Sequence, residues 1–526
     1  MLELFPFYLV LIFLIMLLVM IGNAIKVAYP VLLVVAGLLL SFIPGVPSIS
    51  IEPELIFVIF LPPLLYEAAW AISWKELWHW RRIIGSFAFV VVFLSASTVA
   101  LVANYMIPGF SLALGFLLGG IVSPPDAVSA SAILKFVKVP RRLATILEGE
   151  SLLNDASSLI IFRFALIAVA TGQFVWQEAA LSFGWMIAGG LGIGLLVGFV
   201  FKKVQTWLPT DVNMDIIFTL IAPYTMYILA EEVHSSGVLS VVSGGLFLSY
   251  HRHRFLPASS RLRAEHVWQS LVFLLNGLVF LLIGLDLPEI TSGLRAEGIS
   301  FSEATWYGVL VTLVLIFGRI LAAYGAVLVT MVVGRFATVA DRRNPGPVTP
   351  LILGWTGMRG VVSLAAALSI PLTLADGSLF PHRNLILFIT FVVILLTLIV
   401  QGLTLPILIQ KVKLPDFGDH LPQEETEDLI RKNLVRESRT FLAESHVSNW
   451  RENPVIQNFL SLWSGESDTG ESLKITREDK ELILALLERL RQSLLEMNKS
   501  KPEIDEETIR EFLLYIDLEE EKIKMA

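Results

Sequence analysis

The sequence predicts an all-α polytopic membrane protein with thirteen transmembrane helices. It further predicts inverted repeats, two broken and crossing helices, an outside N-terminus and a cytoplasmic C-terminus. Three observations carry this. Of 526 residues, 55% are hydrophobic and 16% charged, where soluble domains average about 45–50% and about 25%. Apolar stretches of the roughly 20 residues that a bilayer-crossing helix needs recur along the first four fifths of the chain. Lys and Arg gather in alternate loops between them. A net charge of −8 gives no footprint for a polyanion, so no nucleic-acid partner is expected. With no cysteine, disulfides, thiolate metal sites and cysteine nucleophiles are excluded.

The stretches lie near 4–22, 27–43, 53–72, 83–106, 111–134, 145–171, 179–201, 214–232, 236–250, 267–286, 304–334, 349–374 and 384–409. The first has no basic segment before it and no small-residue cleavage site after it, so it is read as retained. Orientation follows from the loops, because cytoplasmic loops collect Lys and Arg. One set holds Lys26; Lys75, Arg81 and Arg82; Lys135, Lys138, Arg141 and Arg142; Lys202 and Lys203. It continues with Arg252, Arg254, Arg261 and Arg263, then Arg335, Arg342 and Arg343, giving 17 basic residues. The opposite set contributes Arg295 and Arg383. A miscounted helix would scramble this alternation.

Charge also divides the chain lengthwise. Residues 1–410 balance at +1, and residues 411–526 at −9. This marks a transmembrane domain, 1–410, and an acidic helical tail, 411–526, expected in the cytoplasm. Amphipathic helices are expected over Thr426–Glu444 and Thr476–Met497, with Thr476 and Asp479 as a cap, and from Asp505 to about Ile523. The tail reads as a solvated appendage.

Ionisable groups inside spans cost about 2.5–3.5 kcal/mol on insertion scales, so they are functional candidates. The sixth stretch opens Glu148-Gly149-Glu150-Ser151-Leu152-Leu153-Asn154-Asp155. At 100° per residue, Glu150, Ser151, Asn154 and Asp155 share an arc of roughly 140° and face one neighbour or cavity. Their oxygens suit hard cations such as Na⁺.

The fifth stretch contains Gly119-Gly120-Ile121-Val122-Ser123-Pro124-Pro125-Asp126. Two prolines remove two backbone donors and should free the carbonyls of Gly120 and Ile121. Such backbone is tolerated at membrane depth only where protein or a wet cavity surrounds it. Broken helices are how secondary transporters present carbonyls and helix ends to an ion. Asp126 is expected at the start of the second half-helix, where the positive dipole end favours its charge. Gly354-Trp355-Thr356-Gly357-Met358-Arg359-Gly360 in the twelfth stretch is the expected partner break. The second break falls seven stretches after the first, as an inverted repeat would place them. Arg359 needs an anion, and Glu150 is the expected partner, leaving Asp155 free to exchange. Arg163, Arg319 and Asn276 read as structural, and Glu231 and Glu232 as interfacial. Glu67 reads equally as funnel lining or as a pair with a neighbouring span, and His251 and His253 are not read as a metal site.

The motif Glu148–Asp155 resembles the central signature of the monovalent cation:proton antiporter 1 family, the bacterial and eukaryotic sodium/proton exchangers. Phe60–Ala68, Met358–Ser363, and Asn276–Phe280 with Ile283–Leu285 are similar to further family motifs. The resemblance spans roughly residues 1–412. It implies a homodimer of thirteen-span subunits in the inner cell membrane, each with a mobile core moving against a dimerisation scaffold. It places the family's essential aspartate on Asp155 and its neighbouring asparagine on Asn154. The ion-site glutamate and serine fall on Glu150 and Ser151, the fifth-span aspartate on Asp126, and the arginine on Arg359. Where the family often has Thr-Asp-Pro, this chain has Pro125-Asp126-Ala127. The Pro125 carbonyl survives there without the hydroxyl, which bears on ion selectivity.

These residues imply a secondary transporter, not an enzyme, in which a monovalent cation and a proton compete for Asp155. Its substrates are Na⁺, Li⁺ or K⁺ and H⁺, with no cofactor. With neutral Asn154 in place of a second aspartate, one-for-one electroneutral exchange is expected. Potassium/proton exchange is the main rival reading. A cation channel and an intramembrane aspartyl protease are remote ones; the protease would need a Gly-x-Gly-Asp element that is absent.

Overall fold

The computed structural model describes residues 5–44, 53–134, 137, 139–172, 176–333, 346–374, 376–412, 414, 421–445, 450–464 and 475–525. Of the basic loop residues, Lys135, Lys138, Arg335, Arg342 and Arg343 lie outside them. Apolar runs with no water at hand satisfy their amides within the run, so the chain folds as helices. The first are α1 (Phe5–Ile25), α2 (Tyr29–Ser41), α3 (Pro53–Ala71) and α4 (Trp74–Gly85). A π-helical turn, Ser86–Val91, leads into α5 (Val92–Met106). Then come α6 (Leu112–Val122), α7 (Ala127–Leu134), α8 (Arg141–Thr171), α9 (Trp176–Trp207), α10 (Val212–Glu232), α11 (Gly237–Phe255) and α12 (Ala258–Leu285). The series continues with α13 (Leu287–Ala296), α14 (Phe301–Val333), α15 (Val348–Trp355), α16 (Val361–Leu368) and α17 (Arg383–Leu396). A second π-helical segment, Thr397–Gln401, joins α17 to α18 (Gly402–Lys411).

Helix occurs within each of the thirteen predicted stretches, interrupted at 123–126 and 356–360, and among the described residues eight helical runs are long and apolar enough to cross a bilayer. The fourth begins earlier than predicted, at Trp74, because Ser73 caps it by accepting the Glu76 amide at 3.1 Å. Glycines set the closest approaches, as they do between membrane helices generally. A Cβ on Gly115 would stand 2.6 Å from the Ala100 carbonyl oxygen, which brings α6 against α5.

The tail departs from its reading as a solvated appendage. It forms α19 (Gln423–Glu444), α20 (Pro454–Ser464), α21 (Arg477–Ser500) and α22 (Glu506–Met525), of which α20 was not predicted. These bury their own apolar cluster, including Ile430, Leu434, Leu487, Leu490, Ile509 and Ile516. The Thr476–Asp479 capping box opens α21. The tail then docks on the basic ends of the membrane helices. Lys75 Nζ donates to the carbonyls of Lys501 and Ile504 at 2.8 and 2.7 Å. Arg510 reaches the Ile72 carbonyl at 2.9 Å, and Arg261 Nε donates to Asp517 at 2.8 Å.

Candidate cation site

Two interrupted helices meet within the membrane part. Pro124 and Pro125 cannot donate, so α6 ends at Val122 and α7 starts only at Ala127. The glycine-rich segment from Thr356 to Gly360 separates α15 from α16 in the same way. The gaps are joined backbone to backbone, with the Asp126 N–H donating to the Met358 carbonyl at 2.7 Å.

Arg359 lies across the end of α6. Its Nε donates to the Val122 carbonyl at 2.7 Å and its Nη2 to the Ser123 carbonyl at 3.2 Å. The carbonyls that meet a side chain here are therefore two residues beyond the predicted Gly120 and Ile121. They are the last of α6, point along its axis into the gap, and carry the partial negative charge of a helix C-terminus. Asp126 occupies the opposite helix end, accepting the Ser129 amide at 3.1 Å and the Ser129 hydroxyl.

Helix α8 presents the predicted polar arc to this crossing. Ser151 Oγ and Asn154 Nδ2 donate to the Pro125 carbonyl at 3.2 and 3.3 Å. Asp155 is 8% exposed, and its carboxylate accepts no hydrogen bond from any described residue. Asp126 is its electrostatic neighbour.

The ion pair of Glu150 differs from the prediction. Its Oε1 accepts Arg319 Nη2 at 2.7 Å, both side chains being 1% exposed, and not Arg359. Arg319 enters from α14 and also donates to the Leu353 carbonyl at 3.3 Å. Arg359 is already engaged by α6, so Arg319 supplies the nearer charge. Glu150 Oε2, Asn154 Oδ1 and Arg359 Nη1 are buried without hydrogen-bond partners among the described residues.

Other candidates fall away from the crossing. Arg163 pairs with Glu231, which also accepts the Gly237 amide at 3.1 Å. Asn276 is buried in α12, and Glu67 is half-buried on α3. Two polar residues at the second π-helical segment escaped sequence reading. Thr397 Oγ1 accepts the Arg359 backbone N–H at 3.1 Å, and Gln401 is fully buried with neither amide atom bonded to a described residue. Gln401 could have been flagged as an amide inside an apolar run; nothing in the sequence distinguishes Thr397.

Among the described residues, no three His, Cys, Asp or Glu side chains are grouped to hold a metal ion. A cation at the crossing would draw on Asp155 together with neutral oxygens, such as those of Asn154, Ser151 and the Pro125 carbonyl. That suits a weakly held, exchangeable hard cation.

Comparison with known proteins identifies the family. The family model described as sodium/hydrogen exchanger, transmembrane, matches residues 10–411. A "Sodium, potassium, lithium and rubidium/H(+) antiporter" of Bacillus pumilus (strain SAFR-032) is 35% identical over 391 residues, 73% of this chain. The chain spans only 58% of that protein's length. YjcE of Escherichia coli (strain K12), named as an uncharacterized Na(+)/H(+) exchanger, is 30% identical over 94% of this chain and 93% of its own. The sodium proton antiporter MjNhaP1 of Methanocaldococcus jannaschii superposes with a TM-score of 0.61 at 19% identity, covering 77% of this chain and 97% of that one. At that identity the likeness concerns the fold.

Proposed function

Because this chain belongs to the sodium/hydrogen exchanger family, we propose that it is a secondary active antiporter that exchanges Na⁺, with Li⁺ and K⁺ as competing substrates, for H⁺. The observation that carries this reading is Asp155, a buried carboxylate with no donor among the described residues, beside the crossing of two broken helices. Such a group holds either a proton or a cation. If its helix shifts between the two sides only when that charge is neutralised, competition at Asp155 couples the two fluxes. Asn154, Ser151, Asp126, Glu150 Oε2 and the Pro125 carbonyl supply the surrounding oxygens, and the Glu150–Arg319 pair braces α8.

In this reading all thirteen stretches cross the inner cell membrane, with the N-terminus outside and residues 411–526 in the cytoplasm. Two copies form a dimer, and the two breaks are related as inverted repeats. Exchange is one-for-one, because Asn154 leaves Asp155 without a second acidic side chain next to it in the chain. Moving one net charge would be worth about 2.3 kcal/mol per 100 mV, so an electroneutral exchanger ignores an imposed potential.

The test is cation-dependent proton flux in proteoliposomes, with Na⁺, Li⁺ and K⁺ added in turn. Asp155→Asn should abolish the flux while the protein elutes as the wild type does in detergent. Normal flux in that variant would remove Asp155 from the mechanism, and a rate that follows membrane potential would refute electroneutrality. The name of the Bacillus relative, which includes potassium, favours K⁺/H⁺ exchange as the second reading. Flux driven more strongly by K⁺ than by Na⁺ would select it.

A further inference from the structure

We propose that Thr397 is a positioning residue of the cation site, holding the break of one half-helix pair in register with the other. The inference rests on the antiport reading for its functional consequence, but its structural part stands on hydrogen bonds alone.

A helical threonine commonly turns its hydroxyl back to the carbonyl one turn earlier. Thr397 does so, with Val393 O at 2.8 Å and Ile394 O at 3.2 Å. Its proton is thereby spent inside α17, and an oxygen lone pair is left facing the neighbouring break. That lone pair accepts the backbone N–H of Arg359 at 3.1 Å. In an unbroken helix this N–H would bond the carbonyl of Trp355. The break removes that partner, and a third helix supplies the replacement through a side chain.

The effect reaches the site in a short series of bonds. Arg359 follows Met358, whose carbonyl holds the Asp126 N–H at 2.7 Å. Asp126 follows Pro125, whose carbonyl takes Ser151 and Asn154 from α8. Arg359 also fixes the end of α6 through the Val122 and Ser123 carbonyls. One hydroxyl thus sets where the segment from Thr356 to Gly360 stands, and through it the carbonyl oxygen to which Asn154 donates. Thr397 is fully buried, so solvent does not replace the hydroxyl if it is lost. Its place at the first residue of a π-helical segment fits the tendency of such segments to occur at functional sites.

A hydrogen-bonding role and a packing role make opposite predictions. Thr397→Val keeps the shape and removes the acceptor; Thr397→Ser keeps the acceptor and removes a methyl group. Loss of one bond to a buried N–H corresponds to about a tenfold effect. Thr397→Val should therefore raise the half-saturating cation concentration about tenfold, and Thr397→Ser should stay within about twofold of wild type. Hydrogen–deuterium exchange over residues 356–360 should be faster in the valine variant than in the serine variant, whatever the transport activity. Serine impaired as much as valine, or valine matching wild type in both measurements, would overturn the proposal. If the wild type itself shows no cation-dependent proton flux, the antiport reading fails. The exchange measurement then judges Thr397 by itself.

Discussion

Arg319 and Arg359 are both buried guanidinium groups near one glutamate, and their different partners give them different roles. Removing one member of a buried ion pair costs about 3–5 kcal/mol, since the other charge stays behind unpaired. Arg319→Leu should therefore destabilise strongly by stranding Glu150, and adding Glu150→Leu should restore much of the loss. Arg359→Ala leaves that pair intact and removes donors to two carbonyls, each worth about 1–3 kcal/mol when buried. Thermal unfolding in detergent checks the order. Equal stability of the Arg319→Leu single variant and the double variant would refute the pairing.

At this scale the sequence was informative about which residues matter and silent about which meet. A charge in an apolar run is visible without any structure, and so was the arc from Glu150 to Asp155. The partner of Glu150 was not, because two arginines and three acids on four helices allow several pairings. Only the packing of α14 against α15, which carries Arg319 to Leu353 and Glu150, chooses among them.

At the scale of elements, the two breaks were legible because Pro-Pro and closely spaced glycines act locally on the backbone. The π-helical segments and α20 were not, since tertiary packing decides them. Gly360 shows how closely the half-helices cross. A Cβ there would stand 3.0 Å from the Asp126 Cβ and nearer still to its carboxylate. Overpacking of this kind costs about 1–3 kcal/mol. Gly360→Ala should lower both the unfolding temperature and the rate of exchange. Gly325→Ala, on an exposed part of α14 with no described atom within 4 Å of the added Cβ, is the control and should be neutral or stabilising by up to about 1 kcal/mol. A Gly360→Ala protein that matches this control in both measurements would mean that the crossing is looser than the contacts indicate.

At the scale of the whole molecule, the sequence displayed a near-neutral membrane part and a tail of −9 without indicating that they touch. The structure joins them by charge. Arg141, at the start of the helix that carries Asp155, meets Asp505 and Glu507 of the tail. Arg261 on α12 and Arg491 on α21 share Asp517, and Arg491 also pairs with Glu520. If the proposed exchange works by a shift of α8 against its neighbours, a tail bound to α8, to α12 and to the α3–α4 turn must give way or follow.

The pH dependence of this junction is set in part by Glu520. Burial alone would raise its carboxyl, but hydrogen bonds from Lys524 and Arg491, with their charges, outweigh that and hold it below the usual carboxylate range. A depressed carboxyl contributes stability that is present above its unfolded value, about 4.3, and is lost as pH falls through the folded value. Amide exchange in α22 should therefore be slower in wild type than in Glu520→Gln near neutral pH. The two should converge as the pH drops below about 4. A difference that persists unchanged to low pH would show that Glu520 acts through shape and not through its charge on Arg491.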